Sequence, residues 1–232
     1  MIRFYFHHTP NPMKVALFLE ESGLPYEVVP LDLFKGEQHT DAYRAINPNE
    51  KAPAIVDAEN VDGETVVFDS NAILLYLGEK TGQFMGNPSD RGQLYSWLMF
   101  VATGIGPYSG QAVHFQHMAP EPMPYAANRY RREVERHYGI LDARLGDREY
   151  IVGNEYTIAD IAAWGWIDRF PRVLGENALD GFPHLKAWFE RVNARPAVER
   201  ARAVGQDISF KKDFDEETKR ALFPQNYPKV GV

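Results

Sequence analysis

The sequence predicts a chain of two domains, a small α/β domain followed by an all-α domain. Strand-like and helix-like patterns alternate over roughly the first 80 residues, whereas from about residue 88 to residue 205 apolar residues recur with helical spacing only. The length of 232 residues also exceeds a common single domain and is short for three. We therefore expect domains at residues 1–83 and 88–205, with residues 206–232 as a C-terminal tail.

The first pattern along the chain is β-α-β. Residues 2–6 alternate apolar and more polar side chains, as a half-buried strand does. Residues 13–21 have helical periodicity and precede Gly23, a residue typical of helix ends. A second strand is predicted at residues 26–31, followed by loop and short helix at residues 35–39.

A β-β-α pattern completes the α/β domain. Apolar runs at residues 54–56 and 66–68 lie on either side of Asp62-Gly63, a dipeptide typical of hairpin turns. A helix is predicted directly after the second run, with Ser70 as its N-cap and Gly82 at its end.

The helical half contains three further signals. Apolar residues three or four apart give one apolar stripe to a long helix over residues 130–145. Thr157 and Asp160 have the spacing of a capping box at the start of a later helix. Residues 104–110 include three glycines and a proline, which predicts a kink in an otherwise helical stretch. Such a kink would open a cleft.

Composition excludes several classes of function. The chain contains no cysteine, so a disulfide scaffold and a Cys-ligated zinc site are impossible, and thiol chemistry needs a sulfur brought by a ligand. The net charge of −7, with Lys and Arg scattered among acids, argues against nucleic acid as a partner. No apolar run approaches the roughly 18 residues of a membrane-spanning helix, and no export signal is visible. We expect a soluble, cytoplasmic protein without membrane contact.

Three segments carry a family resemblance that covers nearly the whole chain. Thr9-Pro10-Asn11 follows the first strand, Asn47-Pro48-Asn49-Glu50-Lys51-Ala52-Pro53 precedes the hairpin, and Phe68-Asp69-Ser70 precedes the next helix. In this order they resemble the cytosolic glutathione transferase superfamily. The resemblance implies a thioredoxin-like N-terminal domain that binds glutathione and a helical domain that forms the substrate pocket and the dimer contacts.

A narrower resemblance is to the nu class, the bacterial glutathione-dependent disulfide-bond oxidoreductases. It rests on Thr9-Pro10-Asn11, the Gln38 segment, Gly110-Gln111 with His114-Phe115, and residues 124–130. Members of that class use Thr and Asn beside the glutathione sulfur, which implies catalytic roles for Thr9 and Asn11.

Physical chemistry supports such roles, because hydroxyl and amide donors at a helix N-terminus stabilise an anion. Lowering a thiol pKa from about 8.5 by roughly two units requires about 2.7 kcal/mol of differential stabilisation. The alternative is that Thr9 and Asn11 only cap the helix.

The resemblance also implies how the rest of glutathione is held. A cis peptide bond at Ala52-Pro53 would leave the Ala52 backbone free to pair with the cysteinyl residue, although most X-Pro bonds are trans. Ser70 would bind the γ-glutamyl carboxylate and Asp69 the ammonium group, a role compatible with helix capping. Gln38 and Lys51 align with positions that bind the glycyl end. Considered alone, each of these two would be interpreted as a surface residue.

Arg129 matches a family residue that reaches the glutathione site of the partner subunit. The alternative is a solvated or ion-paired arginine on an amphipathic helix. The resemblance implies a homodimer, and closed two-fold pairing is the commonest oligomer.

The substrate pocket is predicted in the helical domain. Its candidate lining residues are Tyr108, Gln111, His114 and Phe115, with Met118 and Trp166 as further candidate walls. His114 and His117 also have the spacing of a metal pair, but no cysteine or nearby acidic ligand accompanies them, so we predict no metal site.

The leading functional hypothesis is a glutathione-dependent disulfide reductase, with glutathione as bound cosubstrate and no protein cysteine required. The same thiolate would also serve to reduce organic hydroperoxides, or to conjugate or cleave aromatic and thioether electrophiles. A different class of function is a non-catalytic glutathione-binding regulatory module.

Overall fold

The computed structural model describes residues 1–60 and 63–227. A four-stranded mixed sheet with flanking helices is followed by a helical region, so the predicted fold class is confirmed. The strands are β1 (Ile2–Phe6), β2 (Tyr26–Pro30), β3 (Ala54–Asn60) and β4 (Gly63–Phe68). The helices are α1 (Pro10–Ser22), α2 (Asp41–Arg44), α3 (Ser70–Thr81), α4 (Arg91–Phe100), α5 (Gly106–His117), α6 (Pro124–Arg144), α7 (Ile158–Ile167), α8 (Phe170–Leu174), α9 (Pro183–Asn193), α10 (Pro196–Ala203) and α11 (Glu216–Leu222). Asp62, half of the predicted turn dipeptide, lies outside the described residues.

The sheet has the strand order β2-β1-β3-β4. β1 pairs with β2 in parallel and with β3 antiparallel, and β3 and β4 form the predicted antiparallel pair. The apolar residues Ile2, Phe4 and Phe6 of β1 are buried, as their alternation predicts. Because β1 is central, the segment that leaves its carboxyl end lies beside β3 and leads directly into α1.

Helix α1 begins at Pro10, three residues before the predicted start at residue 13. Proline is compatible with the first turn of a helix because the backbone N–H groups there have no intrahelical acceptor. The helix ends at the predicted Gly23, which has φ 71°. α1 packs against α3, α7 and α10, which explains why it is apolar on nearly all sides.

Helix α3 is capped by Asp69, so the prediction of Ser70 as the N-cap is wrong. Asp69 Oδ1 accepts hydrogen bonds from the backbone N–H groups of Asn71 (2.9 Å) and Ala72 (3.3 Å), and Ser70 is the first helical residue. Asp69 has φ 70°, an uncommon conformation for a residue other than glycine. Such conformations concentrate at functional sites.

The predicted interruption of the helix at residues 104–110 is a π-helical turn, Val101–Ile105, between α4 and α5. π-turns are rare and frequently occur at functional sites. The two glycines that follow allow a close approach of Trp166: a Cβ atom at Gly106 would lie 3.1 Å from its Nε1, and one at Gly110 would lie 3.5 Å from its ring. The indole therefore packs directly on the backbone of α5.

The tail returns to the N-terminal domain. The Lys211 backbone N–H donates to Asp32 Oδ2 (2.8 Å), and the Phe210 ring lies 4.5 Å from the His7 ring between centroids. α11 packs on the short 3-10 turn Leu33–Lys35, and Thr218 on α11 is fully buried. In the described part of the chain, no helix has both the length and the apolarity that crossing a membrane requires.

Candidate functional site

Two adjoining cavities lie between the sheet domain and the helical domain. The smaller has a volume of about 310 Å³ and the larger about 880 Å³. Four residues line both of them: Asn11, Gly110, Gln111 and Trp166. The cavities therefore form one cleft, whose narrow end is at α3 and whose wide end is at the tail.

The N-terminus of α1 lies at the junction of the two cavities. Thr9 occupies the N-cap position but makes no side-chain capping bond, and its hydroxyl has no hydrogen-bond partner among the described residues. Thr9 lines the larger cavity. The structure lacks the side-chain bond that a purely capping role for Thr9 would involve. The Thr9 hydroxyl is therefore available to a ligand.

Asn11 has a defined side-chain orientation. Its Oδ1 accepts a hydrogen bond from Trp166 Nε1 at 3.0 Å. Because an indole N–H only donates, the amide oxygen faces Trp166 and the amide nitrogen faces away from it. Both amide N–H donors of Asn11 have no acceptor among the described residues and face the cleft, beside the positive end of the α1 dipole.

The peptide bond Ala52-Pro53 is cis, as the resemblance implied. The Lys51 carbonyl before it accepts hydrogen bonds from Tyr43 Oη (2.7 Å) and Asn47 Nδ2 (2.6 Å). Ala52 lines the larger cavity, and its own N–H and C=O have no hydrogen-bond partner in the described chain. This segment can pair with an extended peptide backbone.

Asp69 and Ser70 line the smaller cavity together with Lys14 and Asn71. The Oγ atom of Ser70 lies 3.2 Å from Lys14 Nζ, which donates to it. The Ser70 backbone N–H, at the start of α3, has no acceptor in the described part of the chain. This end of the cleft offers N–H, O–H and ammonium donors with one carboxylate, a set suited to a ligand that carries both a carboxylate and an amine.

Gln38 is only 2% exposed and lines neither of the two cavities, so its interpretation as a surface residue is wrong. Its Nε2 donates to the backbone carbonyl of Ala221 on α11 at 3.0 Å. Its Oε1 is buried without a partner among the described residues. In this structure the amide nitrogen of Gln38 is therefore already bonded to the tail. Lys51, by contrast, is exposed at the larger cavity. Binding of the glycyl end by Gln38 and Lys51 stays a prediction.

Three of the four predicted pocket residues line the cleft, namely Gln111, His114 and Phe115. Tyr108 does not: its ring packs against His137 (5.1 Å between centroids) on α6. Tyr108 follows Gly106 by two residues, which places it on the opposite face of α5. The predicted wall residues Met118 and Trp166 also line the larger cavity.

His114 lies against the tail, with its ring 4.8 Å from that of Phe223 between centroids. Burial lowers the pKa of His114. His117 faces a different region, where its Nε2–H donates to the backbone carbonyl of Arg172 on α8 at 3.0 Å. Among the described residues, no group of three or more His, Asp or Glu side chains is placed to hold a metal ion.

Some residues that line the cleft were not predicted from the sequence. Lys14 interrupts the apolar run of α1, a signal that points to a buried charge, and Arg169 and Arg172 follow α7 at the larger cavity. The tail residues Phe223, Gln225 and Asn226 also line that cavity. Arg129 is exposed on α6 and lines neither cavity of its own chain.

The chain is similar to glutathione transferases in sequence and in structure. The family model of the glutathione S-transferase N-terminal domain matches residues 8–80, and that of the C-terminal domain matches residues 106–196. Disulfide-bond oxidoreductase YfcG of Escherichia coli (strain K12) is 43% identical over 204 residues, which cover 87% of this chain and 94% of that protein.

Two solved structures extend the comparison. A glutathione transferase family member from Pseudomonas fluorescens with two glutathione bound has a TM-score of 0.82 and 39% identity, over 86% of this chain and 91% of that one. A glutathione transferase from Pseudomonas putida with one glutathione disulfide bound per subunit has a TM-score of 0.81 and 34% identity, over 88% and 91%.

Proposed function

The chain belongs to the glutathione transferase family of enzymes, and we propose that it is a glutathione-dependent disulfide-bond reductase of the nu class. The observation that carries the proposal is the pair of free donors, the Thr9 hydroxyl and the Asn11 amide, at the junction of the two cavities. Because the chain has no cysteine, the reacting sulfur comes from glutathione.

The proposed binding mode places each part of glutathione against one wall of the cleft. The γ-glutamyl group enters the smaller cavity, with its carboxylate on Ser70 and its ammonium on Asp69. The cysteinyl backbone pairs with Ala52, which directs the sulfur to Thr9 and Asn11. These donors and the α1 dipole favour the thiolate over the thiol.

The proposed reaction consists of two thiol-disulfide exchanges. The bound thiolate attacks one sulfur of a small disulfide, forms a mixed disulfide and releases the other sulfur as a thiolate, which takes a proton from water. The thiolate of a second glutathione then attacks the glutathione sulfur of the mixed disulfide. This step releases the second thiol and leaves glutathione disulfide, so the substrate gains the two electrons that two glutathiones lose.

The larger cavity suits the second glutathione. Its volume of about 880 Å³ lies near the upper end of the range for small-molecule sites, about 300–1,000 Å³. Arg169 and Arg172 line it, and guanidinium groups pair well with carboxylates. The similar structures with two glutathione or one glutathione disulfide bound support this arrangement.

A parallel assay of three reactions tests the proposed function. We expect the protein with glutathione to reduce 2-hydroxyethyl disulfide at a higher kcat/KM than it reduces cumene hydroperoxide or conjugates 1-chloro-2,4-dinitrobenzene. Faster aryl conjugation would favour a conjugating transferase. Tight glutathione binding without turnover of any substrate would favour the regulatory module.

Replacing Trp166 with phenylalanine is expected to lower kcat for disulfide reduction about three- to tenfold. The variant keeps the aromatic wall but removes the donor that orients Asn11, a hydrogen bond of about 0.5–1.5 kcal/mol. Steady-state kinetics measures the effect. Trp164→Phe is the matched control, since it removes the corresponding indole bond to Asn193, outside the cleft, and should leave kcat unchanged. Equal kcat values in both variants would contradict the orienting role of Trp166.

The proposed assembly is a homodimer. Four large apolar side chains of β4 and α4 are between 41% and 47% exposed in the single chain: Val66, Phe68, Tyr95 and Met99. Val66 and Phe68 share one face of β4, and Tyr95 and Met99, four residues apart, share one face of α4, which is the pattern expected of an apolar patch that binds another protein. The proposed location is the cytoplasm, a compartment that supplies reduced glutathione.

If Arg129 reaches the glutathione site of the partner subunit, Arg129→Ala is expected to weaken glutathione binding. A mixed dimer of one Arg129→Ala subunit and one Ser70→Ala subunit should contain one intact site, because both losses then fall on the other site. Calorimetric titration should therefore detect tighter binding in the mixed dimer than in either mutant homodimer. A monomer in sedimentation at micromolar concentration would contradict the proposed assembly.

A further inference from the structure

Lys14 is a buried lysine at the narrow end of the cleft. It lies on α1, is 2% exposed and lines the smaller cavity. Its burial depends on Gly165 of α7, where a Cβ atom would lie 2.4 Å from Lys14 Cγ. α7 therefore covers the stem of Lys14 and leaves its amine at the cavity.

The Lys14 amine has two neutral partners. Nζ lies 3.2 Å from Ser70 Oγ and 3.3 Å from Asn71 Oδ1. Asn71 Nδ2 donates to the Leu98 carbonyl at 3.0 Å, so the amide oxygen of Asn71 is the atom that faces Lys14. A lysine ammonium has three donors, and these contacts use two of them.

No carboxylate among the described residues lies within ion-pair distance of Lys14 Nζ. Asp69, at the start of α3, is the other titratable residue that lines this cavity. The π-turn, α5 and α7 contribute only uncharged lining residues. Burial lowers the pKa of Lys14 to about 7, and the charge of Asp69 opposes this shift. A buried ammonium without a paired anion is unfavourable, and an anion in the cavity would compensate it.

We propose that Lys14 is the residue that selects for the γ-glutamyl α-carboxylate, and that binding of this carboxylate is coupled to protonation of Lys14. The inference rests on the proposed function and deepens it. A protonated Lys14 donates to Ser70 Oγ, which turns the Ser70 O–H toward the carboxylate. A neutral Lys14 accepts the Ser70 proton instead, so the carboxylate loses both a donor and its counter-charge.

The coupling between carboxylate binding and protonation of Lys14 predicts the direction in which proton uptake and affinity change with pH. At about pH 6 Lys14 is already protonated in the free protein, so binding takes up almost no proton. At about pH 8 Lys14 is mostly neutral in the free protein and becomes protonated beside the carboxylate, so binding takes up close to one proton. The Lys14 contribution to affinity is therefore complete at low pH and falls as the pH rises above about 7.

The test is calorimetric titration of the full-length protein with S-methylglutathione in buffers of different ionisation enthalpy. The S-methyl group removes thiol ionisation from the measurement. The expected result is proton uptake near zero at about pH 6 and near one at about pH 8. The S-methyl tripeptide that begins with a glutaryl group keeps this carboxylate and should show the same uptake. The γ-aminobutyryl analogue lacks it and should show none.

Lys14→Met keeps an unbranched side chain, one heavy atom shorter, and removes its charge. We expect it to abolish proton uptake and to weaken binding about tenfold at pH 6 and less at pH 8. Lys186→Met, at a surface lysine paired with Asp180, is the control and should behave like the wild type. Uptake near zero at about pH 8 in the wild type, or the same uptake for both tripeptide analogues, would overturn the inference even if Lys14→Met failed to fold. Absence of any S-methylglutathione binding by the wild type would overturn the proposed function itself.

Discussion

Replacing Asn11 with alanine is expected to lower kcat for disulfide reduction about ten- to a hundredfold, while glutathione affinity changes only a few-fold. The amide donates to the sulfur only once the sulfur is charged, and a hydrogen bond to a charged group contributes about 1.5–3 kcal/mol. Thr9→Ala is expected to act in the same direction through its hydroxyl. Steady-state kinetics at saturating glutathione, with calorimetry for affinity, separates the two effects.

Ser70→Ala is the matched control for Asn11→Ala, because Ser70 lies at the opposite end of the same cleft. It should weaken glutathione binding and leave kcat at saturation nearly unchanged, and Asp69→Ala should do likewise. Equal losses of binding and turnover in Asn11→Ala would count against thiolate stabilisation. Unchanged affinity in Ser70→Ala would remove that residue from the site.

The largest loss of stability is expected for Asp160→Ala, about 3–5 kcal/mol, because several buried donors lose their acceptor at about 1–3 kcal/mol each. The Asp160 carboxylate is fully buried and accepts hydrogen bonds from the backbone N–H groups of Ile151 (3.0 Å) and Thr157 (2.9 Å). It also accepts from Thr157 Oγ1 (3.1 Å) and Trp188 Nε1 (2.8 Å). Alanine leaves these buried donors without an acceptor. The free energy of unfolding in urea, at constant m-value, measures the loss.

Asp142→Ala is a suitable control for Asp160→Ala. Asp142 also accepts two backbone N–H groups at a helix start, those of His184 and Leu185, but the site is partly exposed. Water can replace the carboxylate there, so we expect a loss of about 1 kcal/mol. Similar losses in both variants would show that burial of the Asp160 network adds no stability.

Features that depend on local sequence were predictable. The alternation in residues 2–6 specified a buried strand, and the Thr157 and Asp160 spacing specified the capping box of α7, which the structure confirms. The start of α1, which carries Thr9 and Asn11, was located through a family resemblance. Its hydrogen bond to Trp166 was not predicted, since the two residues are 155 positions apart.

Features that depend on contacts between distant segments were not predictable from local patterns. Gln38 is buried because α11 returns from the far end of the chain to cover it. Tyr108 faces α6 because the glycine face of α5 packs on Trp166 instead. Lys14 is buried because Gly165 lets α7 approach α1. In each case the packing partner, rather than the residue type, decides the environment.

Stabilisation of the glutathione thiolate at Thr9 and Asn11 is the central feature of the proposed mechanism. The most direct test is the ultraviolet absorbance of the thiolate, followed against pH for glutathione bound to the wild-type protein and to Asn11→Ala. We expect the bound thiol to titrate roughly two pH units below the free value of about 8.5, and the shift to shrink by about one unit or more in Asn11→Ala. A bound thiol that titrates at about 8.5 in the wild type would contradict the account.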